Sequence, residues 1–330
     1  MKEITVPSNG KIDLRKIFEN YLRLSVADGN ASLDTLRTYW KNVARYLVFV
    51  RKNQWDVVNV TPIEIKKYRE FLISQNKKPA TIYSHLSAIR RFYDALVEKG
   101  LIPSNPAEKV KAPKEITDPA DRISYLDEVE LRHLFNAIPR DSTLLSVRDR
   151  LIIAIMALEG ARTIELHRAN IQDVITKNEG VGIKVHAKRH KRVIPLRQDI
   201  AKLLKIYLAL RERIEPLYPT KPLFIGLSKN KPFRRLSRRA YRWIVDKYLK
   251  LAGLKHVNGK KISAHSLRHT AGTLGYQATH DIRQVQDLLG HVSPATTAIY
   301  VHAQNRFLNN PALQVKVNIG GDFSEDQPIK

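Results

Sequence analysis

Four side chains able to act on a phosphate follow one another in the second half of the chain. The run opens at His265-Ser266-Leu267-Arg268-His269-Thr270, continues through Leu288-Leu289-Gly290-His291, and ends in Thr296-Thr297-Ala298-Ile299-Tyr300-Val301-His302. About a hundred residues upstream, Arg162 stands in Gly160-Ala161-Arg162-Thr163-Ile164-Glu165-Leu166, where Glu165, one helical turn on, can hold the guanidinium in place. Phosphoryl transfer without a metal needs a nucleophile, fixed cations around the two non-bridging oxygens, and an acid for the leaving oxygen. This set has those types. The chain has no cysteine, which removes disulfides, thiolate metal sites and cysteine nucleophiles together, so any covalent chemistry uses another side chain.

Taken singly, each piece has a plainer reading. Tyr300 is one of 13 tyrosines, His291 after Gly290 fits a helix C-terminal residue bonding a free carbonyl, and Arg162 with Glu165 fits an ordinary i,i+3 ion pair. His-x-x-Arg alone occurs three times, at His186/Arg189, His265/Arg268 and His280/Arg283. What sets the second apart is its sequel: His291 after Leu-Leu-Gly, then Tyr300 nine positions further on. That ordered series, with Arg162 upstream, resembles the tyrosine recombinase (phage integrase) family over nearly the whole chain.

The resemblance implies specific roles. Arg162 and Arg268 would clamp the scissile phosphate, His265 and His291 would assist charge stabilisation and proton handling, and Tyr300 would attack, with Glu165 in support. A basic residue on a β-hairpin, Lys188, would be the general acid for the 5′-oxygen. Family members often flank this lysine with glycines, whereas here it lies between Ala187 and Arg189 on a hairpin about one residue short. Lys191 is therefore its competitor.

The expected reaction is site-specific DNA recombination or integration through a 3′-phosphotyrosyl intermediate, with no metal, ATP or other cofactor. No Walker-type loop or cluster of carboxylates is present in the sequence. By resemblance, the partners are double-stranded DNA with inverted half-sites and three further copies of the chain, a homotetramer joining two duplexes through a Holliday junction; in free solution the protein would be a monomer or weak oligomer. Two alternatives use the same fold: a type IB topoisomerase-like strand transferase acting on one duplex, and a non-catalytic DNA-binding protein.

Charge points to the same partner. The 330-residue chain carries a formal net charge of +25. Residues 1–112 contribute +9, residues 113–307 contribute +17, and residues 308–330 contribute −1. An excess spread over both halves favours a polyanion, whose binding is driven by phosphate neutralisation and counterion release. Arg234, Arg235, Arg238, Arg239 and Arg242 form a dense cluster expected to meet phosphates and groove, with Trp243 and Ile244 facing the core. Arg189, Lys191 and Arg192 on the hairpin, and Lys77, Lys78, Arg90 and Arg91 in the first half, are the other expected DNA contacts. No apolar run is long enough to span a membrane, and residues 1–16 mix charge with Pro7 and Gly10. A cytoplasmic, nucleoid-associated protein is expected.

The elements that must position these residues read as mainly α with a small antiparallel β-sheet (α+β). Helices are expected at 14–27, 32–52, 62–74 and 79–99, the third opened by Thr61-Pro62 and the fourth stopped by Gly100. They read as a small helical bundle, which the resemblance makes a core-binding (SAM-like) domain over 1–112. A proline-containing linker follows at 113–121, and residues 122–307 resemble the family's catalytic domain. In that domain helices are expected at 126–138, 148–158, 238–251, 266–279, 281–289 and 294–300, and one face of another carries Ile200, Leu203, Leu204, Tyr207 and Leu208. Short strands are expected at 174–175, 182–185 and 193–196. In the tail, 308–330, alternating Leu313, Val315, Val317 and Ile319 predict a strand over 312–319 that pairs with a sheet edge, which the family resemblance places on a neighbouring protomer.

Overall fold

A computed structural model describes residues 13–26, 32–114, 123–186, 191–214, 221–227, 233–291 and 293–302. The chain divides into two compact units, Met1–Ile116 and Thr117–Lys330. The tail strand expected at 312–319 lies outside the described residues.

The first unit is a helical bundle of α1 (Leu14–Ser25), α2 (Leu33–Lys52), α3 (Pro62–Ser74) and α4 (Pro79–Glu98). Each start has a local cause. The Asp13 carboxylate accepts from the Arg15 and Lys16 amides, the Ser32 hydroxyl accepts from the Thr35 amide, and Glu64 reaches back to the Thr61 amide ahead of Pro62. Apolar stripes on the four helices meet in one core that contains Phe18, Leu22, Val43, Ile65, Ile89, Phe92 and Leu96. Three tyrosines are buried with them. The Tyr46 and Tyr93 hydroxyls share a 2.6 Å hydrogen bond, Tyr93 donates to the Val57 carbonyl at 3.2 Å, and Tyr68 pairs with His85 Nδ1 at 3.0 Å. Buried hydroxyls without partners would be costly, so this network fixes the bundle as well as filling it.

The second unit contains α5 (Glu128–Asn136), α6 (Leu144–Ala157), α7 (Thr163–Arg168), a sheet of β1 (Val174–Lys177), β2 (Gly180–His186) and β3 (Lys191–Pro195), then α8 (Gln198–Glu212) and α9 (Arg238–Leu251). A two-residue ladder, β4 (His256–Val257) with β5 (Lys260–Lys261), precedes α10 (Ala264–Thr279), α11 (Ile282–Leu289) and α12 (Pro294–His302). The sheet is antiparallel in the order β1-β2-β3, with Val174 opposite Ile183 and Ile183 opposite Ile194. Helix α6 carries Leu151-Ile152-Ile153-Ala154-Ile155-Met156-Ala157 and is apolar on every side over its last two turns. It is accordingly buried on all sides, between α8 and α10 among its neighbours.

Three departures from the sequence expectation have physical reasons. Helix α6 starts at Leu144, not 148, because the Thr143 hydroxyl caps it and Arg148 is an interior residue. Arg148 and Asp149 form a buried pair at 2.6 Å, completed by the Ile225 carbonyl and the Tyr248 hydroxyl. Helix α7 and the β4–β5 ladder are too short to leave a periodic signal. Trp243, expected in the core, is 61% exposed. The buried stripe of α9 is Tyr241, Ile244, Val245 and Tyr248, and position 243 falls on the opposite face.

Candidate active site

The site begins where α6 stops. Gly160 turns the chain at φ +63°, and its bare Cα lets Leu289 of α11 approach so closely that a Cβ there would lie 2.4 Å from Leu289 Cδ2. Arg162 follows as the extended residue that opens α7. One turn into α7, the fully buried Glu165 carboxylate accepts from the Arg162 amide at 2.7 Å and from its guanidinium at 3.0 Å. The same carboxylate takes Arg192 of β3 at 3.0 Å, and Arg192 in turn donates to the Leu288 carbonyl at 2.6 Å. Burial alone would raise the Glu165 carboxyl, but the bond and charge of Arg192, then those of Arg162, hold it below its usual value. It is therefore an anion at neutral pH and fixes two guanidiniums at once.

Arg268 projects from the first turns of α10. Only 2% exposed, it donates to the carbonyls of Gly160 and Leu289, and among the described residues no carboxylate pairs with it. Burial and the Arg162 charge push its pKa down to about 9, which still leaves it cationic at neutral pH. A buried cation held by backbone carbonyls alone is poised for an anion.

Around Tyr300 the contacts are of another kind. Tyr300, on α12, is 1% exposed and lies flat against α10 at Gly272, where a Cβ would be 2.5 Å from its Cζ. Its hydroxyl meets His269 Nδ1 at 3.2 Å. His291 follows Gly290, the left-handed residue that ends α11 at φ +60°; its Nδ1 bonds the Thr297 hydroxyl at 3.0 Å. The His291 ring stacks on Tyr300 at 6.4 Å and 9°. His265, one turn before His269 on α10, stands edge-on to it at 4.7 Å. Burial, then Arg268 and Arg162, lower His265 and bring His291 to about 4; burial, then His265 and Arg268, bring His269 to about 4. All three are neutral at pH 7. Burial raises Tyr300, and Arg268 and Arg162 pull the other way. The pocket thus combines a phenol, neutral imidazoles and two guanidiniums that act on that phenol.

The other expected residues fall into three groups. Arg238, Arg239 and Arg242 of α9 line a groove of about 790 Å³ together with Arg162, His265 and Arg268, and the exposed Trp243 lines it too. Arg234, Lys77, Lys78 and Arg91 are exposed, as is Lys191 at the start of β3 opposite His186. Lys188 and Arg189 lie outside the described residues. Three arginines expected on DNA also make internal bonds. Arg192 is spent on Glu165 and Leu288. Arg235 donates to the His167 and Ala169 carbonyls and to Asn170 Oδ1, joining the segment ahead of α9 to the end of α7. Arg90 is part-buried and reaches the Val110 carbonyl at 3.1 Å. A cationic run by itself does not distinguish a guanidinium that meets phosphate from one that satisfies buried carbonyls.

Sequence reasoning missed His269, Thr297 and the pairing role of Arg192. His269 was in view, four residues from His265 and next to Arg268, but nothing local shows that α12 returns to it. Among the described residues no group of His, Asp and Glu is arranged to hold a metal ion, and no helix is long and apolar enough to cross a membrane.

Comparison with known proteins places this geometry. The phage integrase family matches residues 124–306, and the phage integrase N-terminal SAM-like domain matches residues 17–100. The tyrosine recombinase XerC of Thermodesulfovibrio yellowstonii is 33% identical over 298 residues, covering 88% of this chain and 92% of that protein. The XerC of Proteus mirabilis is 29% identical over 288 residues, covering 86% and 87%. Among solved structures, the XerH site-specific recombinase bound to a palindromic difH substrate in a post-cleavage complex matches with a TM-score of 0.69 at 23% identity, over 92% and 90% of the two chains. A lambda integrase tetramer bound to a Holliday junction matches at 0.61 and 19%, over 88% and 80%. The chain belongs to the phage integrase family, the tyrosine recombinases, which are DNA-breaking and rejoining enzymes.

Proposed function

We propose that this chain is a site-specific recombinase that cuts DNA through a covalent link to Tyr300 and needs neither metal nor ATP. The observation that carries the reading is that Arg268, bonded to backbone carbonyls, and Arg162 both act on the charge of the Tyr300 phenol, with neutral imidazoles against its ring. The two guanidiniums take the non-bridging oxygens of the scissile phosphate and neutralise the charge that grows in the transition state. The Tyr300 oxygen forms a bond to phosphorus, the bond from phosphorus to the 5′-oxygen breaks, and the hairpin lysine, Lys188 or Lys191, protonates the leaving oxygen. His265 and His291 help to stabilise charge around the phosphate. The phosphotyrosyl link conserves the bond energy, so a 5′-hydroxyl from a partner strand reverses the step.

The groove lined by Arg238, Arg239 and Arg242 carries the duplex past these groups, and the helical first unit serves as the core-binding domain on half-sites arranged as inverted repeats. Four copies act on two duplexes, on the nucleoid, and exchange strands through a Holliday junction. Structures of this fold bound to a palindromic site and to a junction as a tetramer support that arrangement. The test uses a nicked suicide substrate, from which the cleaved strand fragment diffuses away and leaves the protein attached. The wild-type chain forms a protein–DNA adduct and Tyr300→Phe binds the site without forming one; an adduct with the phenylalanine variant would overturn the reading.

A further inference from the structure

Tyr300 attacks as a nucleophile only if its phenolic proton leaves, and burial makes that proton harder to lose. The acceptor must sit within hydrogen-bond reach of the hydroxyl and carry a free lone pair aimed at it. Two imidazoles, His269 and His291, lie against the phenol and a third, His265, lies against His269; geometry separates them. The His291 ring lies nearly parallel to the tyrosine ring with centroids 6.4 Å apart, and among the described residues it makes no hydrogen bond to the hydroxyl. Its Nδ1 is moreover engaged by Thr297. His265 stands one helical turn away and contacts His269 edge-on. His269 alone of the three bonds the hydroxyl, Nδ1 to Oη at 3.2 Å, with its ring tilted 55° to the phenol.

We propose that His269 is a catalytic residue of the cleavage step: it accepts the Tyr300 proton as the phenolic oxygen attacks phosphorus. This rests on Tyr300 being the nucleophile. In the forward step the Tyr300 O–H bond breaks and its proton passes to Nδ1 of His269, in the tautomer that keeps its own proton on Nε2. The oxygen–phosphorus bond forms, and the 5′-oxygen leaves with a proton from the hairpin lysine. In the reverse step the imidazolium returns its proton to the departing tyrosine oxygen. His269 has the state this needs before DNA arrives, because burial beside His265 and Arg268 keeps it neutral. The scissile phosphate then brings negative charge against Arg268 and Arg162. That offsets the cations which disfavour an imidazolium, so the base strengthens when substrate binds. The Gly272 seat contributes geometry, since it lets the ring lie close enough to α10 for its hydroxyl to meet a side chain of the same helix.

The experiment measures single-turnover adduct formation on the nicked substrate for the full chain and for His269→Ala and His269→Asn. Each protein is made with tyrosine or with 3,5-difluorotyrosine at position 300. Asparagine keeps a hydrogen-bond acceptor near the position of Nδ1 but cannot take up a proton, and its size and polarity carry the test should the alanine variant fail to fold. Both variants are expected to bind a half-site as the parent does and to form adduct about a hundredfold or more slowly, within the usual range for a lost general base. The fluorinated phenol, more acidic, should recover at least about tenfold of that loss in either variant, because it depends less on a base. An asparagine variant cleaving within about threefold of the parent would overturn the proposal, since an acceptor alone would then suffice. So would a deficit that fluorination leaves unchanged. Tyr300→Phe is run alongside: an adduct in that protein would remove the nucleophile itself, a different failure from an intact nucleophile that ignores His269.

Discussion

The two flanks of the site are held by different forces. On the Arg162 flank, one buried carboxylate grips two guanidiniums, and Arg192 and Arg268 are tied further to the carbonyls of Leu288, Gly160 and Leu289. On the Tyr300 flank, the phenol rests on a nine-residue helix, bonded through one neutral hydrogen bond to His269 and packed on Gly272 and His291. Charge-assisted bonds are roughly twice as strong as neutral ones. The guanidinium flank is thus fixed by charge, while the Tyr300 phenol is seated by shape and weak bonds. Under the proposed mechanism, such a division suits a tyrosine that alternates between a free and a DNA-linked state.

The largest expected effect is on the charged flank. Glu165→Ala leaves Arg162 and Arg192 without their shared partner, and loss of one member of a buried pair costs about 3–5 kcal/mol. Denaturant titration of the second unit should show a loss of that size. If stability stays within about 0.5 kcal/mol, Glu165 is not the anchor.

On the other flank, Gly272→Ala drives a methyl group into the Tyr300 ring, and overpacking of this kind costs about 1–3 kcal/mol. Because the ring is what must move, adduct formation should fall by more than half-site binding does. Equal falls in both would show that Gly272 supports the fold and not the nucleophile.

The same contrast should appear in the pH dependence. His269 and His291 titrate near 4 in the folded chain against an ordinary 6.5, so between those values the unfolded chain takes up protons that the folded chain refuses. Their stabilising contribution is complete above 6.5 and is lost as pH falls toward 4. His269→Asn and His291→Asn should each flatten the melting-temperature profile in that window. Profiles parallel to the parent's would mean the imidazoles are not held neutral. The smallest effect belongs to Thr297→Val, which removes one neutral hydrogen bond to His291 and should cost about 0.5–1.5 kcal/mol. A larger loss would place more of the seat's strength in that bond than its neutral character allows.

Much of this was legible in the sequence because the relevant signals are local. Thr61-Pro62, Ser237 and the Leu-Leu-Gly ahead of His291 mark helix ends whose causes lie within four residues, and the observed bounds fall close to the expected ones. The order of Arg162, His265, Arg268, His291 and Tyr300 also survives as linear text. What was not legible depends on distant contacts. Arg192 reads as one more hairpin cation until β3 brings it to Glu165, 27 residues away in sequence. His269 reads as a neighbour of Arg268 until α12 folds back, 31 residues on, and sets Tyr300 against it. Trp243 was misplaced for a different reason: an aromatic suggests core, but the stripe of α9 is fixed by Tyr241, Ile244 and Tyr248.

The central claim is that Tyr300, seated between His269 and His291, becomes the covalent carrier of DNA. The direct measurement is mass spectrometry of the protein–DNA adduct trapped on the nicked substrate, after nuclease and protease digestion. The expected result is a peptide spanning residue 300 with a nucleotide phosphate on the Tyr300 oxygen. A nucleotide found on any other residue, or no modified peptide from a trapped adduct, would contradict it.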